Sequence, residues 1–255
     1  MLLLLKLTLS PLFICGVTLA IRKWGMGIGG WLAAMPVNAG PILLFYSLEQ
    51  GPGFAAGAAQ FTLVSIMGVA AYCVNYAWMA RRYHWSWCLL VSWLIFFLTV
   101  LLLRDWQVSL WPLLAISAAS VLVAARLLPR TRHMGAWPAS TRWDLPLRLL
   151  AAIVLILVLT YLAGWLGPHW SGLLTAFPIA STVIAGFAHA RQGTDAAINF
   201  FRGMLGGMPG FCLFCAVLAI SLVPFGTLTA FALALTAQLG VQGVGLWRMR
   251  RRRHA

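Results

Sequence analysis

Few side chains in this sequence could take part in chemistry, and most of them are basic. The chain has 18 Lys and Arg residues against four Asp and Glu, which gives a formal net charge of +14. Lys6 and Arg148 fall within apolar stretches, and a charge at the centre of a bilayer costs at least about 2.5–3.5 kcal/mol. As ligands they would favour an anion or a phosphate head group, although a cation near a helix end can also reach the interface. Arg202, in a later apolar stretch, has the same two interpretations.

Two proline-centred segments interrupt apolar helical patterns. The first contains Pro36 and Asn38, and the second contains Pro178, Ser181 and Thr182. Proline removes a backbone donor and frees a carbonyl one turn earlier, and in lipid such a group needs protein or a water-filled cavity to satisfy it. These five residues are therefore candidate substrate-binding residues. A simple proline kink used in helix packing is the alternative interpretation of each segment.

Acidic residues and cysteines give no sign of an enzyme. Glu49 follows a predicted helix on the outer side, where it could carry a coupling proton or be an exposed turn carboxylate. Cys212 and Cys215 form a CxxC pair without a nearby His or acid, so packing is the favoured role. The chain has no P-loop and no acid or His cluster at membrane depth. We expect no catalytic residue, no metal site, no cofactor and no ATP-driven transport by this chain alone.

The elements that must position these residues are membrane helices. Hydrophobic residues make up 62% of the 255 residues and charged residues only 9%, whereas a soluble domain has about 25% charged residues. This composition predicts an all-α, polytopic helical membrane protein and excludes a large soluble domain. Basic charge would suggest nucleic-acid binding in a soluble protein, but here it fits loops that fix the orientation, so no nucleic-acid partner is expected.

The apolar runs predict about nine transmembrane helices, each close to the roughly 20 residues that cross a bilayer. They cover residues 2–21, 27–48, 54–80, 86–103, 106–127, 146–166, 170–190, 196–222 and 225–247. Most Lys and Arg residues follow spans one, three, five, seven and nine. The positive-inside rule then places the N-terminus outside and the C-terminus inside a bacterial inner membrane.

The second half of the sequence matches the first half in one alignment without gaps. This repeat alignment places residues 29–51 on 171–193, and its identities include Pro36/Pro178, Gln50/Gln192 and Gly51/Gly193. An odd number of spans separates equivalent helices, so the two copies would have inverted topology, as in many secondary transporters. We predict two four-helix repeats with a linking helix: repeat one at 1–104, the linking helix and a basic loop at 105–143, repeat two at 144–247, and a basic tail at 248–255.

Short motifs in the second copy carry a family resemblance. They are Arg148-Leu149-Leu150, Ser171-Gly172-Leu173 and Phe177-Pro178. Through them the chain resembles the GlpM family of small bacterial inner-membrane proteins, over about residues 147–245 and more faintly over 5–103. The resemblance implies a link to alginate production but no established chemistry. Two copies and an extra helix depart from the family pattern, and would correspond to two fused units that once dimerised across the membrane.

These patterns predict an inner-membrane secondary transporter or exporter of a small or amphiphilic, anionic substrate. The alternative is a non-transporting membrane scaffold or accessory subunit for envelope polysaccharide or lipid processing. Expected partners are the lipid bilayer and a small-molecule or lipid-like substrate, and a homodimer is compatible with the sequence. We expect the segments around Pro36 and Pro178 to approach each other and to form the floor of a polar cavity, with Lys6, Arg148 and Arg202 around its mouths.

Overall fold

The computed structural model describes residues 2–37, 39–103, 106, 108–131, 144–166 and 177–254. Every regular element within these residues is an α-helix, which confirms the predicted all-helical fold. The helices are α1 (Leu2–Trp24), α2 (Met26–Ala33), α3 (Ala39–Glu49), α4 (Pro52–Met79), α5 (Trp85–Leu103), α6 (Leu110–Leu127), α7 (Asp144–Leu166), α8 (Ile179–Gln192) and α9 (Thr194–His254).

Four stretches of the described helices are long and apolar enough to cross a membrane. They are α4, α5, α6 and the Thr194–Gly245 part of α9. Large apolar side chains on their outer faces, including Leu98, Leu122 and Leu228, are exposed. Such side chains suit a lipid environment, where apolar surface needs no burial inside the protein. The chain is therefore a helical protein embedded in a membrane.

α9 consists of two arms joined by a sharp bend at Gly226. This residue has φ of 74° and ψ of 170°, a backbone conformation that favours glycine. The first arm comprises residues 194–225 and the second arm residues 227–254. Gly210 of the first arm lies against Gln242 of the second arm, so the two arms pack side by side as a helical hairpin.

α4 and α5 form another hairpin, which is closed by the same kind of contact. A methyl group added at Gly68 of α4 would lie 2.9 Å from Val100 Cγ2 and 3.1 Å from Phe96 Cδ2 on α5. A methyl group at Gly210 would lie 3.0 Å from Gln242 Cγ. Glycine therefore permits close helix approach in both hairpins.

The core of the protein lies where α4 packs against the first arm of α9. Tyr72 and Tyr76 of α4 and Phe200 and Phe201 of α9 are fully buried there. The ring centroids of Tyr76 and Phe201 are 5.1 Å apart in an edge-to-face arrangement, a geometry that aromatic pairs favour. Because the two helices come from different halves of the sequence, this core joins the halves.

α2 lies directly on the first arm of α9. A methyl group at Gly30 would overlap the carbonyl group of Phe200, and one at Gly203 would overlap the carbonyl group of Gly27. Glycine at both positions therefore lets the two backbones touch. This contact fixes the position of α2, whose C-terminal end leads into the first proline segment.

Candidate functional site

The first proline segment divides the predicted second span into two short helices. Residues 34–37 leave the helical conformation between α2 and α3. The carbonyl of Pro36 accepts a hydrogen bond from the Gly40 N–H at 2.6 Å, which begins α3. Asn38, the polar residue predicted for this segment, lies outside the described residues. The interruption expected from the sequence is therefore present at Pro36.

This first break packs against the α9 hairpin. Gln238 Nε2, on the second arm, donates to the carbonyl oxygen of Ala34 at 3.4 Å. Ala34 follows the last residue of α2, where backbone carbonyls have no N–H partner within their own helix. Gly40, at the start of α3, lies next to the Phe214 ring of the first arm. Both arms of the hairpin therefore hold the break.

The second proline segment lies at the start of α8. Pro178 is the N-cap residue, with φ of −78° and ψ of 65°. Its carbonyl accepts hydrogen bonds from the Thr182 N–H at 2.9 Å and from the Ser181 hydroxyl at 3.0 Å. Residues 167–176, which include the start of the predicted seventh span, lie outside the described part of the chain. The Ser181 hydroxyl thus serves the first turn of α8.

Thr182 is the centre of a polar contact among three helices. Its hydroxyl accepts a hydrogen bond from Trp93 Nε1 of α5 at 3.2 Å and lies 3.4 Å from the Tyr72 hydroxyl of α4. Ser181 and Thr182 are each only 4% exposed. Phe177, next to Pro178, has its ring centroid 5.6 Å from that of Trp93. The second proline segment therefore packs against the α4–α5 hairpin.

Each proline segment thus has its own neighbours on a hairpin from the other half of the sequence. α2 and α8 also contact each other. The predicted approach of Pro36 and Pro178, and the cavity between them, stay predictions. Sequence analysis missed three contributors: Tyr72, Trp93 and Gln238. A signal existed for two of them, because Trp93 lies far from the span ends where interfacial tryptophans gather, and Gln238 is an amide in an apolar run.

Arg148 is completely buried. Its guanidinium carbon lies 5.3 Å from the centroid of the Phe187 ring on α8, within the range of a cation–π interaction. A snorkelling side chain keeps its charged end in water, so complete burial disfavours that interpretation. Lys6, the equivalent position in the repeat alignment, lies in α1, and its side chain is outside the described part of the structure.

Arg202 holds the chain segment that follows α6. Its Nη1 donates to Thr131 Oγ1 at 3.0 Å and to Asn199 Oδ1 at 3.1 Å, and its Nη2 donates to the Pro129 carbonyl at 2.9 Å. These bonds give Arg202 a positioning role, and its part in substrate binding stays a prediction. Glu49, the predicted coupling residue, is exposed at the C-terminal end of α3.

Comparisons with known proteins do not assign this geometry to a family. No family model matches the chain, and neither a curated protein nor a solved structure matches it. In the part of the chain that the structure describes, no group of three or more His, Cys, Asp or Glu residues could hold a metal ion. The resemblance to the GlpM family stays a prediction.

Proposed function

We propose that this chain is a secondary transporter or exporter in a bacterial inner membrane, built from two inverted four-helix repeats, with a small or amphiphilic anionic substrate. The observation that carries the proposal is the pair of proline segments, around Pro36 and Pro178, each held by the hairpin of the other half. Interrupted helices at corresponding positions of inverted halves typically form the binding sites of secondary transporters.

The helix bounds support the repeat. The first residues of α4 and α9, Pro52 and Thr194, are equivalent in the repeat alignment. The turn glycines Gly51 and Gly193 share one unusual backbone conformation, with φ of 92° and ψ of 162° for Gly51 and φ of 88° and ψ of 179° for Gly193. This shared helix start and turn support the repeat beyond the sequence identities alone.

Tertiary contacts at matching positions support the repeat independently. Tyr72 contacts Thr182, and Phe214 lies next to Gly40. The repeat alignment pairs Tyr72 with Phe214 and Gly40 with Thr182, so the two contacts are equivalent with the halves exchanged. The glycine contacts inside the two hairpins match in the same way.

Nine spans result when α2 and α3 count as one broken span and the two arms of α9 as two. Hydrogen bonds between loops support the proposed orientation. Arg81 Nη2 donates to the Arg130 carbonyl at 2.6 Å, and Thr194 Oγ1 donates to the Ala80 carbonyl at 2.8 Å. These residues follow the third, fifth and seventh spans, which all end on the cytoplasmic side in this topology.

The buried guanidinium of Arg148 supports an anionic substrate. A positive charge acts more strongly in a low-dielectric interior than in water, so a cation at this depth would attract an anion or a phosphate head group. The guanidinium lies beside the Phe187 ring of α8, within the range of a cation–π interaction.

A scaffold or accessory subunit for envelope polysaccharide or lipid processing is the second candidate. The observation that favours it is that the polar side chains of the second proline segment already form hydrogen bonds with protein groups. Ser181 donates to Pro178, and Thr182 accepts from Trp93. Packing alone would explain these contacts.

A test of whether the second proline segment is exposed to each side of the membrane in turn separates the two candidates without a known substrate. The experiment uses Ser181→Cys in a background whose native cysteines are replaced, with a membrane-impermeant maleimide applied to spheroplasts and to inverted vesicles. A transporter is expected to label from both sides, and a scaffold from at most one. Ser92→Cys is the control, because Ser92 is fully buried in the α4–α5 contact and hydrogen-bonded to Asn75.

A further inference from the structure

The second arm of α9 carries two buried glutamines, and in each side-chain amide only the nitrogen has a hydrogen-bond partner among the described residues. Gln238 is 1% exposed and Gln242 is 2% exposed. Their Nε2 atoms donate to the carbonyls of Ala34 at 3.4 Å and Gly207 at 3.5 Å. Both Oε1 atoms, and the indole Nε1 of buried Trp31, have no hydrogen-bond partner among the described residues. An unpaired buried polar atom is costly and rare, so three together require an explanation.

Packing of the hairpin does not require these amides. Their equivalents in the repeat alignment are Phe96 and Val100, which are fully buried on α5. These apolar side chains contact Gly68 as the two glutamines contact Gly210. An apolar pair therefore closes this type of hairpin, and amides in the same places indicate a polar ligand.

The groups around the two glutamines favour a positively charged ligand. The amide oxygens lie on the helix that contacts the C-terminal end of α2, where the helix dipole is negative and carbonyls such as that of Ala34 leave the helix. In transporters, half-helix C-terminal ends and unwound carbonyls coordinate alkali cations. Because protein encloses both amides almost completely, the ligand has to be small.

We propose that Gln238, Gln242 and the Ala34 carbonyl form a binding site for a small monovalent metal cation of the Na⁺ class. Neutral oxygens supply the coordination, and the Trp31 indole N–H donates to a water molecule that the ion retains. The site adjoins the break between α2 and α3. The further role of this cation as the coupling ion rests on the proposed transport function, whereas binding is a property of the resting protein.

The test is thermal unfolding of the purified full-length chain in detergent, in NaCl and in choline chloride at equal ionic strength. We expect Na⁺ to raise the unfolding midpoint by about 3 °C or more, as a ligand specific to the folded state does. Gln242→Leu, which removes one oxygen ligand, should abolish the difference. Ser221→Ala is the control and should keep it, because the Ser221 hydroxyl bonds only to Val217 within the same arm in the described structure.

Equal midpoints of the unmodified chain in the two salts would overturn the proposal and leave the amides with a buried water only. This measurement needs no variant, so poor folding of Gln242→Leu cannot obscure it. A full Na⁺ effect in a folded Gln242→Leu protein would overturn the location of the site. Neither result bears on transport, which the labelling of Ser181→Cys tests separately.

Discussion

Replacing Gly30 by alanine tests how α2, and with it the first break, is held against α9. The added methyl group would overlap the carbonyl group of Phe200 and lie 2.9 Å from the Met204 backbone nitrogen. Nonbonded heavy atoms prefer separations of about 3.5–4.0 Å. Since the obstructing atoms are backbone atoms of the first arm, no side-chain rotation relieves the overlap, and α2 has to move away.

The size of the effect follows from this geometry. Overpacking of a close contact costs about 1–3 kcal/mol and occasionally more, and a backbone obstruction places Gly30→Ala near the upper end. For a chain of this size, about 3 kcal/mol corresponds to a fall of about 6–12 °C in the unfolding midpoint. The displaced α2 should also lose the hydrogen bond between Gln238 and Ala34.

Thermal unfolding of the detergent-solubilised protein, followed by far-UV circular dichroism, measures this change. Gly27→Ala is a matched control on the same helix, because a methyl group there meets no heavy atom within 4 Å. Alanine raises helix stability by up to about 1 kcal/mol over glycine, so this control should unfold at the same or a higher temperature. Equal midpoints for Gly30→Ala and Gly27→Ala would refute the close packing of α2 on the first arm.

Three further predictions address the membrane topology, the basic residues Arg148 and Lys6, and the second proline segment. A reporter fused after Ala255 should read cytoplasmic and one inserted near Gly51 periplasmic, and a periplasmic C-terminus would contradict both the nine spans and the inverted repeat. Arg148→Gln and Lys6→Gln should each abolish transport at normal membrane abundance, whereas retained transport would exclude a role in substrate binding. Thr182→Val should lower the free energy of unfolding by about 1–3 kcal/mol, because it leaves buried donors unpaired. In the same denaturation experiment Thr182→Ser should retain most of the stability, and an unchanged valine variant would show that these hydrogen bonds contribute little.

Composition and prolines account for the parts of the fold that sequence analysis predicted. The helical class follows from the length of the apolar runs, and the break at Pro36 follows from a missing backbone donor. The bend at Gly226 falls close to the predicted boundary between residues 196–222 and 225–247. These features depend on local chemistry, which can be read directly from neighbouring residues.

Contacts between helices could not be predicted in the same way. In a soluble helix the apolar stripe marks the buried face, but in lipid both faces are apolar, and so the pattern around Trp93 or Tyr72 does not point to a partner. Arg148 had two interpretations because its depth depends on the packing of α7 and α8. Gln238 stands out in the sequence as an amide in an apolar run, but its burial beside Gln242 depends on how the second arm packs on the first arm and on α2.

The packing of each proline segment on the hairpin of the other half affects whether a half of the sequence can fold alone. Each half contains a group whose hydrogen-bond partner lies in the other half. The Ala34 carbonyl of the first half accepts from Gln238 of the second half, and the Thr182 hydroxyl of the second half accepts from Trp93 of the first half. A half synthesised alone would leave such groups unpaired in lipid, where no water can satisfy them. Two separate halves would therefore be stable only as a reciprocal pair, and fusion into one chain keeps that pair together at every expression level.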